Sequence, residues 1–171
     1  AKKQTNPFVT IIQLSMVFLM IIAVVVLAFQ YSPEDENAVD CSLPAGQGVN
    51  WSGCNLSGKN FLQSKLTAAN LMNTNLQTAN LSYADLSYAN LKYAQLHISN
   101  LTNADFTKAD LTAANLMGAD LSGATFNSAN LRYANLRDVN ITNTDFSNAR
   151  LDNVIWVDGR TCGANSIGSC N

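Results

Sequence analysis

His97 is the only histidine among 171 residues, and with four cysteines (Cys41, Cys54, Cys162, Cys170) and the aspartates it makes up most of the chain's reactive stock. A histidine does acid–base work only beside a partner that orients it or exchanges protons with it. Four cysteines can staple loops, hold a zinc ion or form a redox pair, but no C-x-x-C occurs. Asp85, Asp105, Asp110, Asp120 and Asp145 could gather around a calcium ion if the fold brought them together. Charge does not point to a polyanion partner: 10 Lys and Arg stand against 12 Asp and Glu, a net charge of −2. Charged residues are only 13% of the chain, about half the usual quarter. Asn, Ala, Ser and Thr replace them, which marks a repetitive chain rather than a conventional enzyme.

What positions these residues is a five-residue period. Every fifth residue from Leu56 to Leu151 gives 20 positions: fifteen are Leu, four are Phe (61, 106, 126, 146) and one is Ile141. The residue two earlier is Ala in 13 of the 20, and the residue one earlier is Asn or Asp in 16. Trp51 and Trp156 extend the register by one step at either end. Five fits no ordinary element. On an α-helix successive leucines would be turned by about 140°; on a strand they would alternate faces. All of them can be buried only if the backbone turns once per repeat and coils about an axis. Four sides closing a square place residues 20 apart above one another, at the ~4.8 Å spacing of a parallel sheet.

Blocks such as Ala79-Asn-Leu-Ser-Tyr83, Ala84-Asp-Leu-Ser-Tyr88 and Ala119-Asp-Leu-Ser-Gly123 resemble the pentapeptide repeat, A(D/N)LXX, over about residues 51–156. The resemblance implies an all-β fold, a right-handed quadrilateral β-helix of about five coils. In it the Leu or Phe and the small residue two before it point inward, and the other three positions point outward. Lys59, Lys65, Gln95, Thr125, Val139 and Arg150 depart from the consensus. The 20-residue register puts Phe106, Phe126 and Phe146 on one side in consecutive coils, predicting a stacked phenylalanine column. It also sets His97 beside Gln77 and Met117, neither of them an acid–base partner, and stacks Asp85 on Asp105 with Asp145 two coils on. A solid rod offers no obvious cleft, so no catalytic, metal or cofactor site is assigned.

An open β-helix end invites aggregation unless covered. The cysteines lie at those ends. Four cysteines allow three pairings; ends separated by five coils leave Cys41–Cys54 with Cys162–Cys170, and keep all four from sharing a zinc ion. Trp156 and the glycine-containing tail through Cys170 are expected to fold over the last coil.

Phe8 to Phe29 is a run of 22 residues without a charge, about 33 Å long as a helix and enough for a ~30 Å hydrocarbon core. Asn6-Pro7 reads as an N-cap and first-turn proline. Lys2 and Lys3 precede the run and Glu34, Asp35, Glu36 and Asp40 follow it, which orients the N-terminus to the cytoplasm or stroma. A cleaved signal with Val26-Leu27-Ala28 as its site is the rival reading; both export the body. The expected organisation is then a cytoplasmic N-terminus and transmembrane helix (1–30), an acidic linker (31–40), an N-terminal cap (41–55), the repeat β-helix (56–155) and a disulfide-stapled C-terminal cap (156–171). The body is expected in the periplasm or thylakoid lumen, anchored to the inner or thylakoid membrane by a single pass.

Function then falls to the outer surface. One side carries Lys92-Tyr93 and, two coils on, Arg132-Tyr133, with Met72 below; Tyr83, Tyr88 and Tyr93 mark three successive sides of one coil. Tyr and Arg are frequent interface anchors, so Met72, Tyr83, Tyr88, Lys92, Tyr93, Arg132 and Tyr133 are the candidate partner-binding residues. Gln13 and Ser15 are the candidate contacts of the helix with an integral membrane complex. A second row, Leu62, Ser82, Thr102, Ser122 and Thr142, would present outward hydroxyls, though it is single and mixed. Family members that mimic DNA need a strongly negative rod, whereas seven cations and seven Asp cancel over residues 55–155. The expected role is a non-catalytic accessory subunit of a photosynthetic or respiratory membrane complex, binding the bilayer and that complex but no nucleic acid, cofactor or small-molecule substrate. The alternative is a freestanding envelope scaffold or binding module for a soluble partner, with a stress-related role.

Overall fold

The computed structural model describes residues 20–23, 25 and 39–171; the first five are helical. Among the described residues no helix is long and apolar enough to cross a membrane. Apart from those five, residues 8–29 of the transmembrane reading, Gln13 and Ser15 among them, lie outside the described residues. Val39–Asn171 forms a compact unit of its own, described below.

The unit is a square coil with four parallel ladders. Face 1 carries residues 50, 70, 90, 110, 130 and 150, and face 2 carries 55, 75, 95, 115, 135 and 155. Face 3 runs 60 to 140 and face 4 runs 65 to 145, each in steps of 20. One residue per side makes the bridge, so the expected all-β architecture is built from isolated rungs rather than continuous strands. The cause is local. After each central Leu or Phe, two residues turn the corner, and the second of them has φ near +57°, as at Ala68, Tyr88 and Asn143. A left-handed residue ends any extended run. A main-chain bond closes each turn, as from Ala69 N to Leu66 O (3.0 Å).

The rest of the repeat follows from main-chain accounting. The bridge residue donates and accepts toward the preceding coil, as Asn80 N does to Lys59 O (3.0 Å) while its carbonyl accepts from Phe61 N (2.7 Å). The central residue donates toward the next coil, as Leu71 N does to Asn90 O (2.7 Å). The first corner residue has no such partner. Its N–H instead donates to the side chain of the Asn or Asp two before it, as Ser87 N does to Asp85 Oδ1 (3.0 Å) and Thr107 N to Asp105 Oδ1 (2.8 Å). This Asx turn is why Asn or Asp precedes the leucine. Amides also ladder between coils: Asn70 Nδ2 donates to Asn50 Oδ1 (3.0 Å) and Asn80 Nδ2 to Asn60 Oδ1 (3.1 Å).

Inside, leucines from Leu66 to Leu151 and the alanines two before them are buried. The interior is too narrow for a second large side chain per side. Where Thr74 and Ser99 replace Ala, their hydroxyls donate to Trp51 O (2.8 Å) and Leu96 O (2.6 Å), so neither hydroxyl is stranded. Phe106, Phe126 and Phe146 form the expected column, with ring centroids 4.7 and 5.2 Å apart and planes within 13°. Trp156 tilts over its end at 5.4 Å. At the other end Trp51 lies against Phe61 at 5.1 Å.

The caps differ from each other. Cys41 bonds Cys54 and Cys162 bonds Cys170. Cys54 sits in the inward small-residue slot, so its bridge ties the leading loop to the mouth of the interior. The tail turns back antiparallel, pairing Ile155 with Thr161 and Arg150 with Ile167. Ser82 corrects the outward hydroxyl row: it is only 6% exposed. The hydroxyls of Ser82, Thr102, Ser122 and Thr142 all donate to their own Asn or Asp side chain at 2.5–2.9 Å, so they complete the turn instead of facing a ligand.

Candidate functional site

Face 1 and its two corners gather most of the candidate partner-binding residues. The first-corner row holds Met72, Lys92, Thr112, Arg132 and Asp152; Tyr93 and Tyr133 stand on the corner after it, and Tyr88 and Lys108 on the corner before it. Tyr93 and Tyr133 are two coils apart, about 10 Å at ~4.8 Å per coil. Tyr83 does not join them. It occupies the corner between faces 3 and 4, so a partner lying flat on face 1 leaves it in water.

These tyrosines are more than half exposed: 57% for Tyr88, 52% for Tyr93 and 54% for Tyr133. All three occupy the left-handed corner, with φ of 58°, 60° and 62°. That region suits Gly and Asn and costs a bulky residue roughly 1–2 kcal/mol. The cations are held flat beside them. Lys92 Nζ is 3.3 Å from Asp110 Oδ2, and Asp152 is shared by Arg132 (3.7 Å) and Arg150 (3.9 Å). Lys108 lies over the Tyr88 ring at 5.2 Å and donates to its hydroxyl (3.2 Å), while Arg132 lies over the Tyr133 ring at 5.5 Å. Each pair is partly exposed and worth little alone. Their effect is to hold these long side chains in place.

Burial pushes the Asp110 carboxyl up, but hydrogen bonds from the Thr112 hydroxyl and N–H and from Lys92 hold it below the ordinary carboxylate value. Asp85 on face 4 behaves alike: burial opposes, and Ser87, Thr67 and the charge of Lys65 more than compensate. These carboxylates are committed to turns and ion pairs. Among the described residues no cluster of His, Cys, Asp or Glu could hold a metal ion. His97 is half-buried on face 2, and its Nδ1 has no hydrogen-bond partner.

Sequence reasoning passed over Lys108 and Asp152 as parts of this face and weighed Asp110 only as a calcium ligand. The signal was present in the 20-residue register, which sets Lys108 one coil above Tyr88. Ion pairing across coils at an offset of 18, as from Lys92 to Asp110, is a finer consequence of the same geometry.

The profile of pentapeptide repeats matches residues 47–82, 79–123 and 119–155. The chain belongs to the pentapeptide repeat family. Among solved structures, the pentapeptide repeat protein Rfr23 from the cyanobacterium Cyanothece 51142 is 35% identical, with a TM-score of 0.63 over 64% of this chain and 88% of that one. HetL, a pentapeptide repeat protein involved in heterocyst differentiation regulation from Nostoc sp. strain PCC 7120, is 30% identical, with a TM-score of 0.55 over 67% of this chain and 62% of that one. QnrB1, a plasmid-mediated fluoroquinolone resistance protein, is 20% identical, with a TM-score of 0.50 over 60% of this chain and 55% of that one, a likeness of fold alone. No curated protein matches. Family and structures together give this pentapeptide repeat protein the right-handed quadrilateral β-helix. Pentapeptide repeat proteins are in general non-enzymatic structural or interaction proteins, and protein–protein contact is the function class this membership supports.

Proposed function

We propose that the chain is a non-catalytic accessory subunit that presents a rigid rod to a protein partner, docking through face 1. The observation that carries this is the retention of three exposed tyrosines in left-handed corners, two of them in contact with a cation. Such corners suit Gly or Asn, and around face 1 they hold aromatic rings beside cations instead. The flat, prearranged face lowers the ordering cost of association. In the finer form of the proposal the partner is an integral membrane complex of photosynthetic or respiratory type. The apolar run 8–29 anchors the chain in the inner or thylakoid membrane, with the rod on the periplasmic or lumenal side. Two disulfides fit an oxidising compartment, and the charges flanking the run fit that orientation.

Purification of the full chain in mild detergent tests this. Co-migration with a stoichiometric membrane complex is the expected result, and a lone anchored chain would overturn the subunit reading. A second reading is supported by the self-contained unit Val39–Asn171: a freestanding envelope module binding a soluble partner. In that case the detergent extract yields the chain alone, and the partner appears in the soluble fraction.

A further inference from the structure

The two ends of the coil are finished differently. At the C-terminal end the tail bonds to the last coil, with Leu151 N donating to Ser166 O (2.8 Å), Cys162 N to Val154 O (2.9 Å) and Gly168 N to Ala149 O (2.9 Å). At the N-terminal end the leading loop bonds to itself through Leu43 N to Asp40 O and Val49 N to Gly46 O, and its main chain reaches the coil only where Gly48 N donates to Thr67 O and Val49 O accepts from Asn70 N. In later coils every bridge residue uses its N–H and carbonyl toward the preceding coil. Asn55, Asn60 and Lys65 have no preceding coil, and among the described residues neither group has a main-chain partner. Among the described residues this end of the coil therefore shows a bare parallel edge.

A cavity of about 350 Å³ opens beside that edge, at the small end of the ~300–1,000 Å³ of ligand clefts. Leu43, Pro44, Trp51, Leu56 and Phe61 give it apolar walls, and Asn60 of the bare edge lines it. Its charged group is Lys59. This lysine occupies a slot that elsewhere holds Ala, Ser, Thr, Cys or Val, yet it is exposed and has no ion pair among the described residues. The indole N–H of Trp51, one of the lining residues, is buried without an acceptor among the described residues. Apolar walls, a cation and unused main-chain groups occur together.

We propose that this mouth binds the C-terminal end of an extended peptide from a partner protein. Its last, apolar side chain fills the cavity against Leu56 and Phe61, its terminal carboxylate lies beside Lys59, and its main chain pairs with the free N–H and carbonyl of Asn60. A bare strand edge recruits an extended chain through main-chain bonds, and the pocket supplies specificity. A lone unpaired cation beside an apolar cavity selects an anion with an apolar body. A second rod continuing the coil does not fit, because the antiparallel tail occupies the end that would have to meet this one. The site is independent of face 1 and stands whether or not that face carries a partner.

Calorimetric titration of the full chain in detergent with acetyl-Ala-Ala-Phe tests it. The free acid is expected to bind saturably, and its C-terminal amide at least fivefold more weakly. Lys59→Ala, which restores the consensus residue and so keeps the fold, should weaken the acid to the level of the amide, and Lys59→Arg should recover it. Phenylpropionate, with the ring and carboxylate but no peptide, should bind more weakly than the tripeptide. No binding of the acid, equal binding of acid and amide, or phenylpropionate matching the tripeptide would each overturn the proposal.

Discussion

Tyr133 stands in a corner with φ of 62°, while Asn153 one coil on and Asn143 and Asn148 on other sides hold the same kind of corner with φ of 57–59°. Asn tolerates this region because its short side chain bonds locally. Tyr133→Asn should therefore leave the melting temperature unchanged or raise it by a few degrees, while weakening partner binding severalfold. Thermal unfolding and a binding assay on one preparation check both halves. Phe126 makes the opposite case. It is fully buried between two rings, so Phe126→Asp places a charge where neither water nor a cation can reach it. The expected loss exceeds about 4 kcal/mol, and a variant keeping its thermal transition would contradict the inward column. Asp85 and Asp110 give a pH dependence whose sign follows from their lowered values. The unfolded chain takes up protons first as pH falls, so their contribution is whole above about pH 4 and is lost as pH drops through the folded values. Urea unfolding at pH 7 and pH 3 should show the decline, and an Asp85→Asn, Asp110→Asn double variant should show a shallower one.

The side, the coil and the cap differ in how much of them sequence discloses. The side was readable because its central apolar residue recurs without exception, and the small residue and the Asn or Asp beside it recur with few. The phenylalanine column and both disulfide pairings followed from stacking and rod length. What did not follow lies where period fails. The tail after Trp156 has no repeat, so its antiparallel return onto Arg150 and Ile155 depends on main-chain groups that composition does not mark. Ser82 was placed outward because the pattern assigns position, not burial; its hydroxyl turns to Asn80 instead of to water. Tyr83, Tyr88 and Tyr93 stand on three successive sides of one coil, as the register requires, but only the last two flank face 1. The C-terminal cap closes a short loop between Cys162 and Cys170. Replacing both by Ser should cost roughly 2–3 kcal/mol and speed amide exchange at Leu151 and Asn153, which donate to the tail. Exchange in the middle coils should not change. Uniformly faster exchange would mean that the cap is not a separable element.

At the scale of the molecule the repeat makes a stiff object with four different sides and two different ends. Each coil is bonded to the next on every side, so force or binding at one corner meets a continuous ladder rather than a hinge. Such a body has little to offer chemistry and much to offer alignment. Its sides are distinguishable: face 1 combines tyrosines with Lys92, Arg132 and Arg150, face 4 carries Asp85, Asp105 and Asp145, and face 3 is mostly Asn. The measurement that reaches the account most directly compares two surface variants of the full chain in partner co-purification. One is Tyr93→Ala, Arg132→Ala, Tyr133→Ala on face 1, and the other is Thr102→Ala, Thr142→Ala on face 3. Both should stay folded; the first should lose the partner by tenfold or more and the second should retain it. Equal retention by both variants would contradict docking through face 1.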